Sequence, residues 1–371
     1  MPAPFAFFAV TPESTQLEKR LLERLNRDGP LTFRDFMEIA LYDPELGYYN
    51  TERLKIGPEG DFYTSSNVHQ AFGAVLAGAF AELWADKEDP LTIVEIGPGT
   101  GQLAADVLET LRDEHPAIFD RLTCVLVEAS PAMRVRQQQK LFAFQDRLRW
   151  CDLEQLVLAP VRGIAFSNEF VDSLPVHRAR YKGHSLEEQF VAAINATHLG
   201  LIWRAPSTNR LSEYIERIGI TLREGQIFEI NLDAIDWLAR MTKAIEHGFV
   251  VTVDYGDSAS LLWTPERKSG TLRSFYQHRL IDSPLERVGE QDITASVNFT
   301  ALIEYGRDFG FDLVSYERQT AFLTRLGLIE RIAKLHGPND SLDDLKERLA
   351  LKNLFVPGSV SDSFRVLLQR R

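Results

Sequence analysis

The sequence contains few cysteines. Only Cys124 and Cys151 occur among its 371 residues, and two cysteines cannot build a disulfide framework or a cysteine zinc site. Histidines such as His177 and His184 show no metal-ligand spacing to nearby cysteines or carboxylates, so we predict no metal site. This cysteine usage fits a reducing compartment, and we expect a cytoplasmic protein.

Long apolar runs and an excess of basic residues are also missing. No apolar segment approaches the roughly 20 residues that a membrane helix needs. The N-terminus has neither the basic start of a secretion signal nor the arginines of a transit peptide. Lys and Arg total 41 against 53 Asp and Glu, a formal net charge of -12, which argues against a broad surface for phosphate backbones. We therefore expect a protein that binds neither nucleic acid nor membranes.

The composition that is present is ordinary for a globular protein, with 44% hydrophobic and 25% charged residues. Leucines at helical spacing in residues 12–28 and an amphipathic pattern in residues 31–49 predict a helical N-terminal region. From residue 91 onward, short apolar runs alternate with helical patterns, which is typical of parallel strands joined by right-handed crossovers. Residues 311–327 and 363–371 are predicted to form an antiparallel edge pair. The pattern predicts an α/β fold with a Rossmann-like sheet.

We divide the chain into an N-terminal helical region with its loop, residues 1–88, and a core, residues 89–371. Alternating apolar and polar residues predict a β-meander inserted within about residues 176–225. A long, loop-rich connection occupies about residues 257–297, and loops of this length in a compact domain are more often lids or binding segments than idle connections.

A glycine-rich turn follows the first strand of the core, in the stretch LTIVEIGPGTGQLAA. Gly97, Gly99 and Gly101 let the backbone approach a ligand at the carboxyl ends of the strands, where open α/β sheets bind. The spacing is G-x-G-x-G, which differs from the G-x-G-x-x-G of dinucleotide sites, and Glu95 would repel a diphosphate. A cofactor with a cationic amino-acid end is a better match.

Acidic residues follow the next two strands. Glu128 closes the second strand, where a carboxylate can accept hydrogen bonds from both ribose hydroxyls. Asp152, with Leu153 beside it, follows the third strand, where a carboxylate often holds the amino group of adenine. Nicotinamide cofactors share the ribose contact, so Glu128 alone does not discriminate. Together with Glu95 on the first strand, these acids lie in order at the ends of three consecutive strands, and the set favours S-adenosylmethionine.

The fourth strand ends in SNEFVDSLP. In methyltransferases with this layout the same loop faces the methyl group, so we interpret Asn168, Glu169 and Asp172 as catalytic candidates. Glu169 and Asp172 could bind a guanidinium or amine through charge-assisted hydrogen bonds, and the transfer also requires a base if the nucleophile must lose a proton. The alternative for Asp172 is that it only caps a local helix.

Several separated stretches resemble one family. They are GYY, GDFYTSS, VEIGPGTGQLAADVL, VEASPAMRVRQQ, SNEFVDSLPV, VDYG, GTLRSFYQHR and DITASVNF, and the match runs from about residue 30 to residue 312. Together they are similar to the MidA family of S-adenosylmethionine-dependent methyltransferases. The glycine loop is generic to methyltransferases, whereas the NEF-x-D-x-LP and D-I-T-A-x-V-N-F blocks are specific to this family.

This resemblance implies a seven-stranded class I methyltransferase sheet with an N-terminal helical region and S-adenosyl-L-methionine as the cofactor. It also implies methylation of an arginine side chain in a partner protein, which is the activity of the family's mitochondrial member. The three glycines would cradle the methionine part of the cofactor. The loop of residues 60–66 would close over the cofactor, with contacts from Tyr63, Thr64 and Ser65.

Three positions depart from the pattern that we associate with the family. Ala74 stands where a glutamate is usual, Thr100 stands where the glycine loop often carries arginine, and Asn298 stands where aspartate is frequent. The cofactor interpretation survives these changes. The arginine interpretation is weakened, because a lost carboxylate near the cleft can mean a different nucleophile.

Four further residues are candidates for substrate binding. Asp254 and Tyr255 end the fifth strand, which sheet geometry places near the cleft. His278 and Asp292 lie on the long connection, where either could contact substrate or act as a base. For Asp254 the alternative is a strand-end turn in which the carboxylate bonds local backbone.

Three functions stay open on the sequence. The first is methylation of an arginine in a partner protein, to which the acidic surface would attract a basic segment. The second is an O- or N-methyltransferase of a small metabolite, and the third is an assembly factor that binds cofactor and partner but turns over little. The sequence leaves the oligomeric state undecided, with a homodimer as one option.

Overall fold

The structure is a computed structural model and describes residues 8–11, 13–51, 70–87, 89–334 and 360–371. Its helices are α1 (Gln16–Asp28), α2 (Phe33–Tyr42), α3 (Gln70–Trp84), α4 (Gln102–Glu114), α5 (Pro116–Phe119), α6 (Pro131–Lys140), α7 (Leu153–Leu158), α8 (Arg210–Ile218), α9 (Leu232–Ala244), α10 (Ala259–Leu262), α11 (Phe299–Asp308), α12 (Gln319–Arg325) and α13 (Leu328–Lys334). Its strands are β1 (Phe8–Ala9), β2 (Leu31–Thr32), β3 (Thr92–Ile96), β4 (Thr123–Val127), β5 (Leu148–Cys151), β6 (Val161–Asn168), β7 (His177–Lys182), β8 (Ser185–Asn195), β9 (His198–Arg204), β10 (Ile227–Ile230), β11 (Ile245–Asp257), β12 (Arg273–Tyr276), β13 (Arg279–Ile281), β14 (Asp292–Thr294), β15 (Val297–Asn298), β16 (Asp312–Arg318) and β17 (Phe364–Arg370). Within the described ranges, no helix combines the length and the apolar character that crossing a membrane requires.

The chain divides into two compact units, each assembled from separated segments. The first unit consists of Met1–Phe62, Asp172–Asp236 and Ser258–Ala301. The second unit consists of Tyr63–Val171, Trp237–Asp257 and Leu302–Arg371. These units differ from the predicted division after residue 88, because α3 buries its small residues in the core of the second unit, whereas α1 and α2 share a core with residues of the predicted insertions.

Helix α1 of the first unit begins at a capping box. Thr15 Oγ1 accepts a hydrogen bond from the backbone N–H of Glu18 at 3.1 Å, and Glu18 Oε2 accepts one from the backbone N–H of Thr15 at 2.8 Å. Leu17, Leu21 and Leu25 lie four residues apart and are buried on one face. The helical N-terminal region that the leucine spacing predicts is thus present and packed.

The first unit also contains two antiparallel sheets. The larger has the order β1-β9-β8-β7-β10, with β2 paired to β8, and the smaller has the order β13-β12-β14. Strands β7, β8 and β9 pair consecutively and antiparallel, as the predicted meander requires. The long connection predicted to be loop-rich therefore carries a three-stranded sheet as well as loops.

The sheet of the second unit has the order β16-β17-β11-β6-β3-β4-β5 among the described residues. The strands from β11 to β5 run parallel, and β17 is antiparallel to both of its neighbours. This path of seven strands confirms the predicted Rossmann-like fold and the predicted antiparallel edge pair. The predicted edge segment remains a strand only to Arg318, after which α12 begins.

The inner parallel strands of the second unit, such as β3, are buried on both faces. Adjacent residues of a strand point to opposite faces, and Ile93 and Val94 on β3 are 1% and 0% exposed, which fits a strand covered by helices on both sides. On one side, α3 approaches α4 so closely that a Cβ on Gly73 would lie 2.4 Å from the Cβ of Asp106. The carboxyl ends of these strands share one edge of the sheet, which carries the site described next.

Candidate functional site

The glycine loop, residues 97–101, follows β3 and has the backbone that its composition predicts. Gly97, Gly99 and Gly101 have φ values of 67°, 52° and 79°, in the left-handed region that favours glycine. A Cβ on Gly97 would lie only 2.8 Å from Cδ2 of Phe170. Since Gly97 is exposed, a ligand can approach the backbone at a position where a side chain cannot be accommodated.

Glu95 lies on β3, two residues before the glycine loop, and is 3% exposed. Its Oε2 atom has no hydrogen-bond partner among the residues that the structure describes. Burial, together with the negative charges of Asp106 and Glu128, raises the pKa of Glu95 to about 8. A neighbouring cation would favour the ionised carboxylate, so Glu95 is suited to a positively charged ligand group.

Glu128 follows β4, and hydrogen bonds hold its carboxylate in place. Oε1 accepts from the backbone N–H of Ser130 at 2.8 Å, and Oε2 accepts from Nε2 of Gln137 at 2.9 Å. Nε of Arg134 donates to the backbone oxygen of Glu128 at 2.7 Å. Burial raises the pKa of Glu128, and the hydrogen bonds from Ser130 and Gln137 oppose that rise. A fixed carboxylate at a strand end can accept hydrogen bonds from a diol.

Asp152 caps helix α7. Its Oδ1 accepts from the backbone N–H of Gln155 at 2.7 Å, and Gln155 Oε1 accepts from the backbone N–H of Asp152 at 2.9 Å. Asp152 is exposed and Leu153 is half-buried. The cap uses one carboxylate oxygen of Asp152, and the adenine contact assigned to Asp152 and Leu153 stays a prediction.

Asn168 ends β6, and Glu169 follows it with a left-handed backbone, at a φ of 52°. This conformation costs a non-glycine residue about 1 to 2 kcal/mol. The backbone N–H of Glu169 donates to the oxygen of Val253 at 3.0 Å, and Nδ2 of Asn168 donates to Oε1 of Glu169 at 3.3 Å. Strain of this kind concentrates at functional sites, and the catalytic role assigned to Glu169 stays a prediction.

Asp254 on β11 is fully buried and binds the backbone that follows Glu169. Its Oδ2 accepts from the N–H groups of Phe170 at 3.2 Å and Val171 at 2.9 Å, and Oδ1 accepts from the N–H of Tyr255 at 2.9 Å. The bond to Tyr255 is local, as in the strand-end turn that the sequence offered as the alternative, whereas the bonds to Phe170 and Val171 join β11 to the segment after β6. Substrate binding by Asp254 and Tyr255 stays a prediction. The Tyr255 ring packs edge-on against Phe364, with ring centroids 5.7 Å apart.

Replacing Asp254 with asparagine is expected to reduce the free energy of unfolding by about 3 kcal/mol, because an amide NH2 would face backbone donors in a buried place. Urea denaturation measures this change. The matched control is Asp312→Asn, whose carboxylate forms an exposed ion pair with Arg370 and should contribute less than about 1 kcal/mol. Equal losses in the two variants would contradict an anchoring role for Asp254.

The other predicted residues that the structure describes lie in the first unit. Asp172 and Asp292 are each 4% exposed, and the hydroxyl of Tyr49 donates to Oδ1 of Asp292 at 2.9 Å. Burial raises the pKa of Tyr49, and both aspartates add to that rise, so the two acids lie around one tyrosine. His278 instead occupies the exposed turn between β12 and β13, with a φ of 60°.

The loop predicted to close over the cofactor lies outside the described residues. The contacts expected from Tyr63, Thr64 and Ser65 therefore stay predictions. Across the ranges that the structure covers, no group of three or more His, Cys, Asp or Glu side chains is placed to hold a metal ion.

The departures from the family pattern have local structural settings. Asn298 Oδ1 accepts from the backbone N–H of Ala301 at 3.3 Å, and its Nδ2 donates to the hydroxyl of Tyr214 at 3.0 Å. An aspartate there could accept from both groups, so the exchange leaves the helix start intact. Ala74 is buried on α3, and Thr100 is half-buried in the glycine loop.

Sequence reasoning missed Gln137 and Phe170. Phe170 lies against Gly97 and packs on Trp237, with ring centroids 5.8 Å apart. Gln137 sits in a glutamine run that suggests a solvated helix face, yet it is fully buried. Its spacing of four residues to the buried Leu141 was the available signal.

A comparison with known families matches residues 75–316 to the family described as "Putative S-adenosyl-L-methionine-dependent methyltransferase". The matched range covers more than half of the chain. It includes the glycine loop, Glu128, the Asn168–Glu169 pair and Asp254, which are the residues placed above at the strand ends.

Curated relatives cover most of the chain at low identity. A rat protein named "Protein arginine methyltransferase NDUFAF7, mitochondrial" is 28% identical over 358 residues, which is 86% of this chain and 76% of the relative. A Caenorhabditis elegans homolog with the corresponding name is 27% identical over 360 residues, covering 88% of this chain and 80% of its own.

Solved structures from Burkholderia thailandensis are also similar. One, bound to S-adenosyl-homocysteine, has a TM-score of 0.86 and 26% identity, and the match covers 99% of this chain and 95% of that chain. A native structure from the same organism has a TM-score of 0.84 and 27% identity, with the same coverage. Similarity therefore extends over nearly the whole chain, to a protein that binds the demethylated product of S-adenosyl-L-methionine.

Proposed function

The chain belongs to the family of S-adenosyl-L-methionine-dependent methyltransferases, and from this membership we propose that it methylates an arginine side chain of a partner protein. The membership confirms the predicted methyl transfer and the predicted cofactor. The observation that carries the proposed acceptor is the Asn168–Glu169 pair, an amide and a carboxylate at the strained end of β6. The names of the rat and Caenorhabditis relatives support the same acceptor.

The residues at the carboxyl edge fit the cofactor. In the left-handed glycine loop, Gly97 has no Cβ to collide with Phe170, so the backbone stays open to a ligand. The loop would bind the methionine part of the cofactor. Glu95, whose buried oxygen lacks a partner in the described structure, would lie near the ammonium group. Glu128 would accept hydrogen bonds from the ribose, and Asp152 with Leu153 would bound the adenine.

The proposed mechanism requires that the substrate guanidinium is positioned for attack and that a carboxylate binds its positive charge. Bound S-adenosyl-L-methionine supplies an electrophilic methyl group. Glu169 would bind the guanidinium through charge-assisted hydrogen bonds and align one nitrogen for attack. Methyl transfer would form the new N–C bond as the methyl C–S bond breaks, with the electron pair leaving on sulfur, and Glu169 or water would take the proton that the nitrogen loses. Asn168 would fix the Glu169 carboxylate through the hydrogen bond described above.

Incubation with labelled methyl donor and host lysate tests the proposed acceptor. We expect label in a protein band, and methylarginine after hydrolysis of that band. Label confined to the small-molecule fraction would instead establish the metabolite alternative. Cofactor binding without label in either fraction would leave the assembly factor as the function.

Cofactor binding should strengthen as the pH rises toward about 8, the value to which burial raises the pKa of Glu95. Below that pH the carboxyl is protonated, and a cationic ligand must first displace the proton, at a cost in affinity of at most about tenfold per pH unit. Above about pH 8 the carboxylate of Glu95 is already ionised, so the affinity for the cofactor no longer rises with pH. Calorimetry between about pH 6 and about pH 9 checks this, with Glu95→Gln as the control that reports only the ligand's own titration.

Two further expectations stay predictions. The location of the protein is expected to be cytoplasmic, although the relatives carry mitochondrial names, and cell fractionation tests it. A homodimer stays one option for the oligomeric state, which sedimentation measures.

A further inference from the structure

Gln137 on α6 connects the glycine loop, the strand-end acid Glu128 and strand β5. Its Nε2 donates to the backbone oxygen of Gly99 at 2.8 Å and to Oε2 of Glu128 at 2.9 Å. Its Oε1 accepts from Nε1 of Trp150 at 2.9 Å. We infer that Gln137 is a positioning residue for the cofactor, which sets the orientation of the Glu128 carboxylate toward the ribose. This inference rests on the proposed placement of the ribose at Glu128.

Trp150 determines which way the amide of Gln137 faces. The indole N–H can only donate, so the atom that faces it must be the amide oxygen of Gln137. The NH2 group then has two hydrogens for two acceptors, the Gly99 oxygen and the Glu128 carboxylate. All three polar positions of the amide are used, and a flipped amide would place a donor against the indole donor.

Burial distinguishes Gln137 from a residue that contacts the cofactor itself. Its side chain is 0% exposed, so it acts through its neighbours. The glycine loop packs directly on it, because a Cβ on Gly101 would lie 3.4 Å from Cγ of Gln137. One side chain therefore supports both the loop that would bind the methionine part and the acid that would bind the ribose.

Two consequences of losing the amide can be measured separately. Without its hydrogen bond to the Gly99 oxygen, the glycine loop is less fixed, which weakens every ligand that uses the loop. Without its hydrogen bond to Glu128, the carboxylate is less well oriented, which weakens only ligands that carry ribose hydroxyls. The ratio of affinities for ligands with and without these hydroxyls therefore reports the action of Gln137 on Glu128.

The test is calorimetry with S-adenosylhomocysteine and its 2′,3′-dideoxy analogue. We expect the wild-type protein to prefer the natural ligand, and Gln137→Met to lower that preference about tenfold, the effect of one hydrogen bond to a charged acceptor. Gln138→Met, at the next and exposed position of α6, should keep the wild-type preference. Trp150→Phe should lower the preference in the same direction as Gln137→Met, since the amide is then no longer held in one orientation.

An unchanged preference in Gln137→Met would overturn the inference, even if both ligands bind more weakly. If Gln137→Met fails to fold, as a thermal melt would show, Trp150→Phe decides in its place by the same ratio. A wild-type protein that binds both ligands equally would remove the ribose from Glu128, and the inference would fall with that placement. Arginine methylation is assayed independently of these affinities, so the two failures are distinguishable.

Discussion

Replacing Gly97 with alanine is expected to weaken the binding of S-adenosyl-L-methionine about 100-fold. The new Cβ would lie 2.8 Å from the Phe170 ring, and that ring packs against Trp237. The backbone also has a φ of 67°, which costs alanine about 1 to 2 kcal/mol, and overpacking adds about 1 to 3 kcal/mol. The loop would relieve the backbone strain and the collision by moving out of this conformation. Binding then requires the loop to return to a conformation that is about 2.7 kcal/mol higher in free energy, which corresponds to the 100-fold loss of affinity.

Gly219→Ala is the matched control for this change. Gly219 has a φ of 70°, and a Cβ there would have no neighbouring atom within 4 Å. The control therefore carries the backbone strain without the collision, and it should lose stability but keep its affinity for the cofactor. Calorimetry on both variants measures the difference, and equal affinity in Gly97→Ala and the wild-type protein would show that the ligand does not use this loop.

Replacing Glu169 with glutamine is expected to lower the rate of methyl transfer by about 100- to 10,000-fold, the range for losing a positioned acid–base group. Glutamine keeps the size of the side chain and its reach, but it cannot pair with a guanidinium as a carboxylate does. Cofactor affinity should change little, because the glycine loop, Glu95 and Glu128 are unaltered. Single-turnover transfer with labelled methyl donor, alongside calorimetry, separates the two quantities.

Glu154→Gln is the control for this second change. Glu154 forms an exposed ion pair with Arg240 on the same unit, so removing its charge alters the surface by the same amount without touching the strand end. Its transfer rate should equal that of the wild-type protein. A Glu169→Gln protein that transfers methyl groups at the wild-type rate would exclude Glu169 from the chemistry.

The parts of the fold that depend on local pattern were predictable from the sequence. Alternating apolar runs and helices predicted the parallel sheet, and Gly97, Gly99 and Gly101 predicted a turn whose backbone a ligand can approach. In the structure all three glycines have the left-handed conformation. Each of these predictions rests on residues close together in the chain. The division into two units does not, because its first unit joins three distant segments, and hydrophobic periodicity does not say which segments share a core.

The candidate site was predictable in composition but less so in the use of each side chain. For Asp254 the sequence offered both a ligand contact and a backbone role, whereas for Asp152 it offered only the adenine contact, although the same carboxylate chemistry serves either use. The structure places backbone donors against both of them. Gln137 escaped prediction because a glutamine run resembles a solvated face, and its burial depends on how α6 packs on the glycine loop and β5.

The position of β17 has a consequence for the order of synthesis. This strand lies between β16 and β11, although residues 364–370 are made after both of them. Until the ribosome has added these residues, both neighbouring strands keep an open edge, which is a template for aggregation. The sheet can therefore be completed only after residue 370 has been synthesised. A nascent chain that is interrupted earlier leaves the edges of β11 and β16 that face β17 unpaired.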